Sequence, residues 1–179
     1  MGESEFSEAK RIAVDMDGVL ADVYSQFIAY HERDFGERLV IRDLDGRPEF
    51  DAFPKGRVHV NSKGFFRTAP VILNSREVLQ RLNRTYRIFV VSAAMEFPQS
   101  LSEKQEWLNE HFPFIGWQQV VFCGTKDIID ADVMIDDHLK NLDRFKGDTF
   151  LFSQPHNQGH AGIRHRRVST WTEIEQILL

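Results

Sequence analysis

Cysteine is nearly missing from this chain of 179 residues. Its one thiol, Cys123, can build neither an internal disulfide nor a thiolate-rich metal cluster, so a reducing cytoplasm is the expected home. Long apolar runs are missing too. None approaches the roughly 18 residues of a membrane span, and no membrane partner is expected. The opening stretch Met1 to Phe6 is acidic, carries no apolar leader core, and breaks the myristoylation pattern at Phe6. An excess of positive charge is also lacking: 22 Lys and Arg stand against 27 Asp and Glu, a formal charge of −5. A duplex nucleic-acid binder needs a net basic footprint, so that class is disfavoured. A small anionic substrate stays open, because a few cations and a metal ion can invert the field locally. What is present, 42% hydrophobic and 27% charged residues, is ordinary for a folded soluble protein. The length suits one domain with a small insertion.

The apolar pattern switches between two periods. Ile12 to Val14, Ile88 to Val91, Val120 to Phe122, Val133 to Ile135 and Phe150 to Phe152 are short, mostly β-favouring runs. Continuous apolar runs indicate strands buried on both faces, as in a parallel sheet covered by helices. Helix signals lie between them. A helix is expected from about Asp22 to Phe35. Asn74 to Glu77 reads as a capping box before Val78, Leu79 and Leu82; Ser102 with Gln105 opens another helix carrying Trp107 and Leu108. Thr170 with Glu173 starts the last helix, with Ile174, Ile177 and Leu178 on its apolar face. The alternation predicts an α/β doubly wound, Rossmann-like domain with helices on both faces of a parallel sheet. One stretch, roughly 36 to 64, breaks it. It is rich in charge, Gly and Pro, has few apolar runs, and is long for a loop, as lids and inserted caps are. The expected division is a core of about 10–24 and 66–179 with a cap insertion of about 25–65.

Four signals fall where an open parallel sheet holds ligands, beyond the C-terminal ends of its strands. Asp15-Met16-Asp17-Gly18 follows the first run. Two carboxylates two residues apart at a strand end begin on the same face, and such crowding is costly unless a cation or a proton relieves it. Gly18 permits a sharp departure or close approach of a ligand. Taken alone the tetrapeptide reads equally well as a turn; the preceding strand and the following Val19 to Asp22 favour the functional reading. Ser92, after the second run, can receive phosphate oxygens, or simply form a turn. Lys126, after the third, suits a phosphoryl group or a neighbouring carboxylate, or solvent. Asp136-Asp137, after the fourth, needs a metal, Lys126 or backbone donors to offset its charge, or else acts as a helix cap pair before His138 to Phe145.

In combination this order resembles the haloacid-dehalogenase-like phosphotransferase superfamily and, within it, the 5′(3′)-deoxyribonucleotidase family. Asp15 to Asp22 is similar to that family's opening motif. Gly64-Phe65-Phe66 with Ala69-Pro70-Val71 is similar to its return from the cap, and Pro155-His156-Asn157 with His160 to a late loop. The resemblance spans about 10–178. It implies that Asp15 is the nucleophile forming an aspartyl-phosphate, and that Asp17 protonates the leaving oxygen and then deprotonates water. It further implies Mg²⁺ held by Asp15, the Asp17 backbone carbonyl and Asp137, with Asp136 supporting Lys126 or the metal's waters. Ser92, Lys126 and the backbone N–H of Ala93 are then expected to hold the phosphoryl group of a nucleoside monophosphate. Small caps of this kind are often closed by a partner subunit, so a homodimer is compatible.

The charge count agrees with metal dependence. Asp15, Asp17, Asp136 and Asp137 bring up to four negative charges and a phosphate monoester up to about two more, against one from Lys126. Elsewhere the chain departs from the family. Val23 stands where relatives carry an aromatic residue, with Tyr24 one step later; Phe50 or Phe53 is an alternative base contact or plain core; His138 replaces a cationic residue. The loop from Pro155 to Arg167 carries His156, His160 and His165, but Pro155, Gly159 and Gly162 oppose a helix, so a solvated basic loop is expected there rather than a zinc site. Three other functions compete. A phosphatase of another small ester keeps the same mechanism. A receiver domain puts its acid pair first, unlike this chain. A silent binding module does not need both Asp15 and Asp17.

Overall fold

The apolar runs form a six-stranded, all-parallel sheet in the order β3-β2-β1-β4-β5-β6. The strands are β1 (Arg11–Val14), β2 (Arg87–Ser92), β3 (Val120–Phe122), β4 (Val133–Asp136), β5 (Asp148–Phe152) and β6 (Arg166–Val168). This is a computed structural model, and it describes residues 9–160 and 164–179. The opening stretch read above for a leader and Gly162 of the basic loop lie outside the described residues. Among those described, no helix is long and apolar enough to cross a membrane.

Side chains alternate across the sheet as a strand period of two requires. Ile12, Val14, Ile88, Val90, Val133, Ile135, Phe150 and Phe152 enter one cluster with the apolar faces of α4 (Ser75–Leu82), α5 (Leu101–His111) and α7 (Trp171–Leu178). Ala13, Val91, Met134 and Leu151 point the other way, to Leu142 of α6 (Leu139–Leu142) and Phe145. Both faces of the central strands are therefore dry, and each fully buried Val or Ile contributes roughly 1.5–3 kcal/mol. β6 lies inside the loop expected to be solvated. Its three residues include two arginines and bury only Val168, so no apolar run announces it; short, charged edge strands rarely do.

Two of the three expected helix caps differ. Asn74 adopts φ 63° and its side chain makes no cap bond, reaching instead 3.4 Å to the Thr172 hydroxyl on α7. α5 starts at Leu101, one residue before the expected Ser102, led in by a turn at Pro98–Ser100. Thr170 does cap α7: its hydroxyl accepts from Glu173 N–H at 3.2 Å, and Glu173 accepts from Ser169 N–H at 2.8 Å.

A third cluster is built almost wholly by residues 23–66. α1 (Val23–Phe35) is capped by Asp22, which accepts from Ser25 N–H at 2.9 Å, and it ends at Gly36 with φ 71°. Phe27 stacks on Phe53 and tilts against Phe65, both at 4.8 Å. The stretch expected to be a lid or an inserted cap holds α2 (Glu49–Ala52) and α3 (Gly56–Val60) and buries Leu44, Ala52, Phe53 and Val60. These are isolated apolar residues on short helices, a pattern with too few turns to show a period.

Candidate active site

The parallel register brings the acidic motifs together. Val14 pairs with Val90 on one side and with Ile135 on the other. Asp15 follows directly, its N–H donating to the Ile135 carbonyl at 2.9 Å, so Asp15 and the acid pair after Ile135 emerge side by side. Ser92, which ends β2, pairs with Phe122, and the loop after β3 carries Lys126 back over the same edge. This edge is where the strand order reverses about β1, the usual ligand crevice of doubly wound sheets.

Lys126 lies 2.7 Å from Asp15 and 2.6 Å from Asp136, all three buried. Burial works against its charge, but Asp136 and Asp15 outweigh that and hold the ammonium above the usual lysine range. Asp136 is fully engaged. It also accepts from His138 N–H at 2.8 Å and, with both oxygens, from the Asn141 amide at 3.0 Å. It thus serves Lys126 and the chain just ahead of α6; the helix-cap reading of the pair does not hold, since α6 starts after His138 and has no side-chain cap. Asp137 is different. Its Oδ1 is buried and finds no partner among the described residues, and burial, followed by the charges of Asp15 and Asp136, pushes its carboxyl well above the ordinary value. Burial likewise lifts Asp15 to about 6, with Asp136 and Asp17 adding repulsion that Lys126 only partly offsets.

Carboxylate oxygens of Asp15, Asp136 and Asp137 lie within 4.8 Å of one another. An all-oxygen donor set with an orphaned buried oxygen fits a hard divalent cation. The Asp17 side chain is not part of that trio, so its expected role at the metal concerns its backbone carbonyl alone. Gly18 is required on two counts: φ is 76°, and a side-chain carbon there would run into the Asp137 carboxylate. The buried Gln154 amide, not foreseen, donates to the Gly18 carbonyl at 2.5 Å and fixes the turn.

Lys104 is the main residue missed. It sits on α5, buried, ion-paired with Asp17 and 3.1 Å from the Ser92 hydroxyl, with its ammonium 4.4 Å over the Phe66 ring. In sequence it reads as one more charge on a helix surface. Only its position three residues before the buried Trp107, hence on the inner face, could have flagged it.

These groups floor a cavity walled by Val23, Phe27, Phe50, Phe65, Phe66 and Phe97, with Ala93 and His138 at its edge. Val23 faces the cavity, whereas Tyr24 is buried and turned toward His156, 3.1 Å from its Nδ1. Tyr24 therefore does not replace the missing aromatic. Phe53 is fully buried core and Phe50 lines the cavity, which divides the two readings given for them. The basic loop is not solvated throughout. His165 is buried between Thr149 (2.7 Å) and Asp143 (2.9 Å), and Arg167 donates to the Asn157 side chain at 2.8 Å.

A family model described as 5′ nucleotidase, deoxy (pyrimidine), cytosolic type C protein matches residues 9–179. A 5′(3′)-deoxyribonucleotidase of Bacillus subtilis is 41% identical over 173 residues, covering 95% of this chain and 99% of its own, and that of Bacillus phage SPbeta matches to the same extent. In fold, a haloacid-dehalogenase-like hydrolase of Streptococcus pneumoniae superposes with a TM-score of 0.63 at 12% identity, over 96% of this chain and 99% of that one. A haloacid-dehalogenase-type hydrolase of Bacillus subtilis, solved bound to magnesium, superposes with a TM-score of 0.61 at 12% identity, over 95% and 98%. With near full-length agreement in sequence, the chain belongs to the 5′(3′)-deoxyribonucleotidase family.

Proposed function

We propose that this chain is a divalent-metal-dependent phosphatase of nucleoside monophosphates, acting on deoxy substrates at the 5′ and 3′ positions through an aspartyl-phosphate on Asp15. The observation that carries the reading is a buried Asp15 carboxylate held 2.7 Å from Lys126, beside an unpartnered Asp137 oxygen, on the floor of an aromatic-walled cavity. Asp15, Asp137 and the Asp17 carbonyl would hold Mg²⁺, which when bound supplies positive charge to the phosphoryl oxygens.

The chain's own residues divide the remaining work. An Asp15 oxygen attacks phosphorus while the ester bond to the sugar breaks, and Asp17 gives its proton to the departing oxygen. Asp17, now a carboxylate, takes a proton from water. Attack by that water breaks the acyl-phosphate bond, which releases phosphate and restores the Asp15 carboxylate. Lys126 and Ser92 hold the phosphoryl group with the Ala93 N–H. Lys104 pairs with Asp17 in the free protein, and a phosphoryl group beside Ser92 competes for its ammonium. Residues 25–65 act as the cap, with Phe50 and its neighbours around the base.

A panel of phosphate monoesters in Mg²⁺, comparing dUMP, dTMP and 3′-nucleotides with sugar phosphates, tests the substrate. Preference for sugar phosphates would overturn it. Asp15→Asn should abolish turnover and acid-stable trapping of phosphoenzyme; retained activity would refute nucleophilic catalysis.

A further inference from the structure

Glu49, His138 and His156 meet at the edge of the cavity from three separate parts of the chain: the first turn of α2, the residue after the acid pair, and the turn Pro155–Asn157 that follows β5. Glu49 Oε1 lies 3.1 Å from His156 Nδ1 and 3.8 Å from His138 Nε2, and one ligand atom from each of the three lies within 4.8 Å of the others. None of the three has a part in the phosphoryl chemistry above.

The bonding around His156 constrains what this corner can hold. Its Nε2 is 3.0 Å from the Asp137 carbonyl oxygen, which can only accept, so the proton sits on Nε2. In the neutral ring Nδ1 then carries a lone pair, and that lone pair has a carboxylate oxygen of Glu49 as its neighbour. The Tyr24 hydroxyl, 3.1 Å away, can donate a hydrogen bond to Nδ1, but it offers Glu49 nothing in that orientation. A cation between the donors satisfies all three at once. Donors bound at about 2.0–2.2 Å to a tetrahedral ion stand roughly 3.3–3.6 Å apart, a spacing that falls between the 3.1 and 3.8 Å separations found here. A ligating histidine whose other N–H is held by a backbone carbonyl is a common arrangement at metal sites. The His138 side chain, 36% exposed, has room to turn its ring, now stacked on His156 at 4.4 Å, toward the shared point.

We propose that Glu49, His138 and His156 form a second cation site, separate from the acidic trio and suited to a first-row transition dication such as Zn²⁺. Two imidazoles and one carboxylate favour such an ion over Mg²⁺, which prefers oxygen donors alone. The site has structural reach. Glu49 belongs to the segment packed around Phe53, whereas His138 and His156 hang from the ends of β4 and β5, so an ion here ties the two cores together at the cavity edge. The fourth position is left for water or a ligand.

Co²⁺ makes the test visible. The full chain is stripped with a chelator, placed in excess Mg²⁺ to occupy the carboxylate trio, and titrated with Co²⁺ while its visible absorption is recorded. One Co²⁺ per chain with nitrogen-ligand absorption, displaced by Zn²⁺, is the expected result. His138→Asn and Glu49→Gln should each weaken it by at least about tenfold, since outer partners alone are worth that much; His138 is half-exposed, so that variant keeps its fold. Asp137→Asn retains the carbonyl that orients His156 and should leave Co²⁺ binding in place, although it disables the trio. No Co²⁺ uptake in excess Mg²⁺, or uptake that Asp137→Asn removes while His138→Asn and Glu49→Gln leave it unchanged, would overturn the site without touching the phosphatase reading.

Discussion

Lys104 touches two groups that the proposed mechanism uses, the Asp17 carboxylate and the Ser92 hydroxyl. Replacing it by Met keeps the buried stem over Phe66 and removes the charge. We expect kcat to fall by about 10²-fold, the usual loss for one preorganised donor. Steady-state kinetics decide this, and an unchanged kcat would assign Lys104 to packing. Asp15 sets a pH signature. Burial pushes its carboxyl up to about 6 in the metal-free protein, above the roughly 3.9 of a free aspartate. Between these values the folded state keeps a proton that the unfolded chain has lost, so this group's contribution to stability falls as pH rises from about 4 through 6 and then levels off. A cation at Asp15 and Asp137 competes with that proton. Thermal melts should show a Mg²⁺-dependent gain that grows across the same window; a gain independent of pH would contradict the pairing of ion and carboxylate.

At the level of elements, the ends of helices separate what local sequence decides from what it does not. Thr170 accepts from Glu173 N–H and the Glu173 carboxylate from Ser169 N–H, all within five residues of chain, and α7 starts as expected. Thr170→Ala should cost about 1 kcal/mol, read as a lower urea midpoint with an unchanged slope. Asn74 carries an equally good capping pattern, but the chain leaves Ile72 and Leu73 in a turn that holds Asn74 at φ 63°, where its side chain cannot reach back to the helix. Asn tolerates that conformation better than most residues, so the same residue type serves a different purpose. β6 was not legible for a related reason: its strand character comes from pairing with β5, not from its own side chains.

Of the three apolar clusters in the whole molecule, one lies between the sheet and α4, α5 and α7, and a second, within residues 23–66, supplies most of the cavity's apolar wall. Phe53 is fully buried in the second and contacts Phe27 and Tyr24. Phe53→Ala should cost about 3–5 kcal/mol locally. If the cap is a unit of its own, hydrogen exchange will accelerate across 23–66 more than across β1 and β4; equal acceleration in both would mean one undivided core.

Five of the six strands, the doubly wound order of the chain and the places of Asp15, Ser92, Lys126 and the acid pair could be read from the sequence. Each depends on a short apolar run followed within four residues by a polar or charged group, and that is a local pattern. Lys104, Glu49 and His156 could not be read in this way, because each owes its role to side chains 87, 107 and 132 positions away: Lys104 to Asp17, Glu49 to His156, and His156 to Tyr24. Sequence spacing determined which strand ends carry charge, since a strand's period of two is set by its own backbone. Which charges neutralise one another was decided only when the parallel register and the folding of residues 23–66 over the sheet removed water from between them, because the strength of each pairing depends on distance and burial that no local pattern contains.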